Sequence, residues 1–182
     1  MNERVFTYLC PTKTLKQAFC TVMSNRQIST DKRGHTAASE ARRVERLQKR
    51  IVLSNDIQKV PQLTAFVGEA CKAAGYDAAT TMRLKLAIEE AVVNVMKYAY
   101  PSDTRGDIYI EACTDDTQLQ FTITDNGIPF DPTAKEDVDT SLPLAERPIG
   151  GLGIHLVRQI TDTMNYEYVN KQNVLTLRKS LP

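Results

Sequence analysis

Glu90-Ala-Val-Val-Asn94-Val-Met-Lys97-Tyr98, then Asp125-Asn-Gly127-Ile-Pro-Phe130-Asp131, then Gly150-Gly151-Leu152-Gly153 are the stretches that decide how this 182-residue chain folds. The first places polar groups at i, i+4 and i+7 of a helix, so Glu90, Asn94 and Lys97 share one face. The second is an acidic turn directly after the strand-like Phe121-Thr-Ile-Thr124. The third is a glycine turn that opens a helix.

Working outward, the spacing of apolar residues predicts the surrounding elements. Arg50–Ser54 reads as a short strand. Asn55 or Asp56 can cap the helix that follows, and Pro61 is tolerated in its first turn. Val60, Leu63, Phe66, Val67, Ala70 and Ala74 recur at helical spacing until Gly75 provides a left-handed stop. Asp77 caps a second helix whose apolar face runs Leu84, Ala87, Ile88, Ala91, Val95 and Ala99, and Pro101 closes it. Residues 107–113 and 118–124 alternate as antiparallel strands joined at Asp115-Asp116-Thr117. Residues 126–149 are polar, proline-rich and aperiodic. Residues 152–161 predict a third helix, and 166–169 with 174–179 a final hairpin around Lys171-Gln-Asn173. Helices interleaved with antiparallel hairpins predict an α+β two-layer sandwich, a mixed or antiparallel sheet covered on one face by helices.

Each segment has a chemistry suited to its residues. Asn94 offers a neutral oxygen, a fitting ligand for a hard magnesium ion that keeps several waters and bridges phosphates. Glu90, one turn earlier, is placed to take a proton from a nucleophile or orient it. Lys97 is a point charge for phosphate. Taken alone, the same stripe is also an ordinary amphipathic helix with a solvated face, and Glu89 points about 100° away toward the surface. Asp125 at a strand end can accept from an exocyclic amine, and Gly127 lets backbone approach a flat ring closely. Asp-Asn-Gly is equally a strong turn signal. Amides at the start of a helix form an anion site, which Gly150, Gly151 and Gly153 leave open to phosphate oxygens. Arg147 is either a group that reaches the terminal phosphate or a solvated loop arginine. His155 reads as a packing or surface residue.

In their order and intervals, the three segments resemble the N, G1 and G2 boxes of the histidine-kinase-like (Bergerat-fold) ATPases. The resemblance covers roughly residues 50–182. It implies ATP and magnesium as cofactors, with Asn94 binding the metal and Glu90 acting as catalytic base. It further implies nucleotide contacts from Asn94, Lys97, Tyr98, Asp125, Gly127, Phe130, Arg147, Gly150, Gly151, Leu152 and Gly153, with Asp125 bonding the adenine amino group. Pro129-Phe130-Asp131-Pro132 and the stretch from Ile149 to Lys179 look like the bacterial anti-sigma regulatory serine kinases. Neither dimerisation helices nor a phosphoacceptor domain precedes the ATPase segment, which counts against a sensor kinase. The implied activity is that of a serine/threonine protein kinase. It phosphorylates a small antagonist protein and holds a sigma factor or similar regulator by partner switching. A homodimer is implied too, and a sheet face left uncovered by helices would need such a cover. The alternative is a nucleotide-dependent binding module of the same fold that transfers no phosphate.

Composition adds exclusions. The four cysteines, Cys10, Cys20, Cys71 and Cys113, are far apart and form no C-x-x-C pair, which points to reduced thiols in a cytoplasm. No apolar run approaches the ~20 residues of a membrane helix, so no membrane contact is expected. The net charge of +1 conceals an asymmetry. Residues 1–50 hold 11 Lys/Arg against 4 Asp/Glu, and residues 51–182 hold 12 against 18. We therefore divide the chain into a basic, flexible extension (1–49) and the ATPase domain (50–182). Few aromatics in the extension are placed to stack on bases, so no direct nucleic-acid partner is expected. Removal of residues 1–45 is expected to leave the melting temperature nearly unchanged, since the periodic apolar positions begin near Ile51. A drop of several degrees in a thermal melt would show that the extension packs on the domain.

Overall fold

The computed structural model describes residues 47–134 and 152–182, all within the unit Arg42–Pro182. Strand β1 (Gln48–Ser54) starts two residues before the expected Arg50. Asp56 then caps a single 3-10 turn, Ile57–Lys59, its carboxylate accepting from the Gln58 N–H at 2.9 Å. The turn leads into helix α1 (Val60–Ala73), where Pro61 lies in the first turn and no intrahelical N–H is lost. After α1, Gly75 takes the left-handed conformation at φ +85°. Asp77 caps helix α2 (Ala78–Tyr98) by accepting from the Thr80 N–H at 2.7 Å. Strands β2 (Asp107–Thr114) and β3 (Gln118–Asp125) follow, their turn held by Asp115 accepting from the N–H groups of Thr117 and Gln118. Helix α3 (Leu152–Ile160), strand β4 (Thr163–Val169) and strand β5 (Gln172–Ser180) complete the order.

The β4–β5 hairpin turns earlier than its composition suggested. Asn170 and Lys171 both have positive φ, 54° and 61°, the pattern of a two-residue turn whose twist matches the flanking strands. Gln172 and Asn173 therefore belong to β5 and not to the loop.

The five strands lie in the order β1-β2-β3-β5-β4, every pairing antiparallel. Register places Leu53, Ile108, Ile110, Ala112, Leu119, Phe121, Ile123, Leu175 and Leu177 on one face, all of them buried. That face meets Leu63, Val67 and Ala70 of α1, Leu84, Ile88 and Val92 of α2, and Val157 of α3. Each large side chain so buried stabilises the fold by roughly 1.5–3 kcal/mol relative to exposure. The expected α+β sandwich, one sheet with helices on one face, is the observed architecture. The core arc of α2 is wider than expected. Val92 and Met96 are buried in the core cluster, while Val95 is only partly so.

The opposite sheet face is mixed. Arg50 bridges to Glu111 at 2.7 Å across β1 and β2, and across β5 and β3 Arg178 donates to Gln120, whose amide donates to Thr122. These pairs satisfy one another, while Val52 and Val169 leave apolar area exposed on the same face. No helix among the described residues is long and apolar enough to cross a membrane. Cys71 is a buried thiol whose pKa burial raises to about 11.

Asp162, between α3 and β4, ties the end of β5 to the helix layer. Its carboxylate accepts from the Lys179 ammonium at 2.6 Å and the Ser180 N–H at 2.7 Å. Chiefly through the Lys179 hydrogen bond, these hold its pKa at about 2. A folded pKa depressed below the unfolded value contributes stability that is complete above pH ~4 and lost as pH falls through about 2. The side chain is 39% exposed, so solvent screening reduces the contribution to about 1 kcal/mol. Asp162→Ala is expected to lower the melting temperature by about 2–4 °C at pH 7, and the gap from wild type should close toward pH 2.

Candidate functional site

Helix α2 carries the polar stripe, and Gly127 and Gly153 both close on it. Glu90 is half-buried, and Gly153 in the first turn of α3 lies directly against it. A Cβ on residue 153 would come 2.5 Å from Glu90 Oε2 and 3.4 Å from its Cδ. Two and a half turns along, Ala99 at the C-cap of α2 receives the turn after β3. The Ile128 N–H donates to the Ala99 carbonyl at 2.7 Å. A Cβ on Gly127 would run into that same carbonyl and lie 2.6 Å from the Ala99 Cβ. Glu90 and Ala99 are thus contact points about 13 Å apart along one rigid rod. The space that Gly127 leaves is used by the end of α2, where the sequence suggested room for a planar base.

Asp125 ends β3 on the helix-facing side and is 3% exposed. Its Oδ1 accepts from the Gly127 N–H at 2.8 Å and from Asn173 Nδ2 at 2.9 Å. Burial pushes the carboxyl above its ordinary range, and the Asn173 and Gly127 donors pull against that shift. Asn173 also donates to the carbonyls of Gly127 and Ile128 at 3.3 Å, so it fastens the turn as well as the carboxylate. Beyond the turn, Arg158 of α3 donates to the carbonyls of Thr133 at 2.9 Å and Pro132 at 3.3 Å. Tyr100 supports the turn's other side, its hydroxyl accepting from Asn126 N–H at 3.3 Å and donating to the Asp107 carbonyl.

The structure brings Glu90 to Gly153, and it gathers Asp125 and Gly127 at the end of α2. Asn94 lies between these points, half-buried, and neither it nor Glu90 has a side-chain hydrogen bond among the described residues. Lys97, Tyr98 and Phe130 are exposed, Tyr98 to 72%. Leu152 opens α3 through its backbone. Arg147, Gly150 and Gly151 lie outside the described residues. Glu89 turns toward α1, where Thr64 donates to it at 3.4 Å, and His155 is half-buried beside Gln159. Sequence reasoning missed Asn173 and Arg158. Arg158 carries no local signal, and Asn173 was masked by its position next to a turn. An open cleft of about 550 Å³ adjoins the outer side of the 126–128 turn, lined by Tyr100, Arg105, Tyr109 and Asn126 among others. Glu90, Asn94 and Asp125 do not line it, but Ala99, Gly127 and Ile128 do, so it meets the site at the turn after β3.

The sequence pattern of the histidine kinase-like ATPase domain matches residues 53–179. Serine-protein kinase RsbW of Listeria monocytogenes is 30% identical over 99 residues, which cover 52% of this chain and 63% of the relative. RsbW of Bacillus cereus is 32% identical over 96 residues, covering 50% and 59%. The chain thus spans about three-fifths of the length of these curated relatives. The crystal structure of the RsbU and RsbW domains of Rv1364c from Mycobacterium tuberculosis is similar at a TM-score of 0.53 and 18% identity. That likeness covers 75% of this chain and 33% of the other, and concerns the fold alone. Because the domain pattern runs through the core strands, α2, the Asp125 turn and α3 alike, the chain belongs to the histidine kinase-like ATPase domain family.

Proposed function

We propose that this domain binds an adenine nucleotide with magnesium and transfers the terminal phosphoryl group to a serine or threonine of a small antagonist protein. The observation that carries the reading is the closure of Gly153 and Gly127 on α2, at Glu90 and at Ala99. On this reading an acceptor for a base and an anion-binding helix start lie along one rod, with Glu90 at the helix start and the Asn94 carboxamide between. In the transfer, the hydroxyl oxygen of the acceptor residue bonds to the terminal phosphorus and the bond to the leaving diphosphate breaks. Glu90 takes the hydroxyl proton.

The residues fit the magnesium that this chemistry uses. Asn94 has an uncommitted carboxamide oxygen one turn from Glu90, on a half-buried stretch of α2. Bound magnesium supplies charge neutralisation on the phosphate oxygens. Asp125 offers an oxygen for the amino group of the base, and the start of α3 offers backbone amides for the phosphates. Lys97, Tyr98, Phe130, Arg147, Gly150 and Gly151 complete the proposed set of nucleotide contacts.

Likeness to the serine-protein kinases RsbW supports the choice of a protein hydroxyl as acceptor. On this reading the protein acts in a cytoplasm. It also holds a sigma factor or similar regulator and pairs with a second copy of itself. The second reading, a binding module without transfer, keeps every contact except the role of Glu90. The presence of both Glu90 and Asn94 favours transfer, since binding alone requires no base.

Two substitutions separate the parts. Asp125→Asn removes the charged acceptor and is expected to weaken ATP by about 1.5–3 kcal/mol in calorimetry. Affinity for ATP equal to that for GTP, unchanged by the substitution, would remove the assignment of Asp125. Glu90→Gln is expected to keep nucleotide affinity and lose 10²–10⁴-fold of the transfer from labelled ATP to candidate antagonist proteins, an order-of-magnitude expectation for a general base. Near-normal transfer by that variant would place the base elsewhere. No transfer by the wild type to any candidate would favour the binding module.

A further inference from the structure

Asn173 is a buried carboxamide, 6% exposed, paired in register with Asp125 across β3 and β5. Its Nδ2 has three acceptors around it: Asp125 Oδ1 at 2.9 Å and the carbonyls of Gly127 and Ile128 at 3.3 Å. Its Oδ1 accepts from the Tyr166 hydroxyl at 2.7 Å. This environment allows one amide orientation. Turned over, the amide would set its oxygen against a carboxylate and two carbonyls, with no donor among them.

The consequence falls on Asp125. Its Oδ1 is taken by two donors, the Gly127 N–H and Asn173, while Oδ2 has no hydrogen bond among the described residues. An ionised carboxylate only accepts, so its open oxygen takes an amino group and repels a keto oxygen. A protonated carboxyl donates, and would take a keto oxygen instead. The state of this one group therefore decides which purine the site accepts.

We infer that Asn173, oriented by Tyr166, is the residue that keeps Asp125 an acceptor-only carboxylate with Oδ2 open, and so sets the preference of the site for an amino-bearing over a keto-bearing base. Asn173 is a positioning residue, since it acts through Asp125. The inference rests on the nucleotide site proposed above. Without Asn173, Asp125 would remain buried with the Gly127 N–H as its one donor among those described, and burial favours the neutral form. The other ionisable groups whose charge bears on Asp125 are Tyr100, at the end of α2, and Tyr166 on β4. Burial raises both phenols, so they stay neutral throughout the range in which the carboxyl titrates.

The test uses the full chain and two probes, ATP and inosine triphosphate, which carries a keto oxygen in place of the amino group. Calorimetry of the wild type is expected to favour ATP. Asn173→Leu, similar in branching though larger and without a donor, is expected to cut the ATP-to-inosine-triphosphate affinity ratio on the order of tenfold to a hundredfold. Its ATP affinity should also decline at a higher pH than that of the wild type, as the carboxyl protonates earlier. Tyr166→Phe leaves Asn173 in place without its anchor and is expected to lower the ratio by several-fold, which keeps the test alive if the leucine variant does not fold. A wild-type ratio retained in both variants, or equal losses for both nucleotides with an unshifted pH profile, would reduce Asn173 to a structural residue and overturn the inference alone. A wild type indifferent between the two nucleotides would overturn the reading of Asp125 as the base acceptor, and the inference with it.

Discussion

Everything in the site depends on how closely other backbone comes to α2. A helix is a stiff rod with a fixed rise, so two segments that touch it at defined residues acquire a defined separation. Here the touching residues are glycines, and the two contacts differ in kind. At Gly127 a methyl group would strike the carbonyl and backbone carbon of Ala99, atoms that cannot yield without moving the end of the helix. At Gly153 it would strike the Glu90 carboxylate, the far end of a flexible side chain. The first contact fixes the fold of the turn. The second leaves α3 in place and governs only where a carboxylate lies. Fold and chemistry are thereby separated along one helix.

The same separation appears in the polar interior. Five polar or charged residues are buried among those described, and two of them, Asp125 and Asn173, bond directly to each other. A buried carboxylate without donors is costly, and the pair of donors on its Oδ1 offsets part of that cost. The remaining penalty shows as an upward displacement of its pKa, led by burial. Thr114 and Thr161, by contrast, serve the scaffold. Thr114 accepts from the Leu47 N–H where β1 begins, and Thr161 donates back to Val157 at the end of α3. Both are satisfied locally. Asp125 alone retains an oxygen with no partner among the described residues.

Much of this was legible in the chain because local chemistry decided it. Asp77 as a cap, Pro61 in a first turn, Gly75 as a stop and Asp115 as a turn acid depend on neighbours within three or four residues, and the structure places each as its side chain suggests. The alternation of β2 and β3 likewise reports one buried face. What was not legible depends on partners far away in sequence. Asn173 lies 48 positions from Asp125, and beside Lys171 it has the composition of a turn. The actual turn, Asn170–Lys171, puts a lysine at positive φ, an uncommon conformation that only the register of the finished hairpin imposes. Val92 and Met96 are buried in the core cluster that β2, β3 and β5 complete, and those strands begin only at Asp107.

The outer sheet face shows how such distant pairing bears on function. An uncovered sheet is commonly a site of association when it is apolar, and the bare existence of such a face suggests a cover. Register decides otherwise here. Arg50 meets Glu111 across β1 and β2, and Arg178 meets Gln120 across β3 and β5, so the charges that seem scattered in sequence form neighbouring pairs. Desolvating such paired charges costs free energy, so covering them gains little. Tyr98, beside Ala99 at the end of α2, and Phe130, just beyond the Asp125 turn, keep large apolar areas in water. A protein that covered them would bury apolar area, which the paired charges of the sheet do not offer.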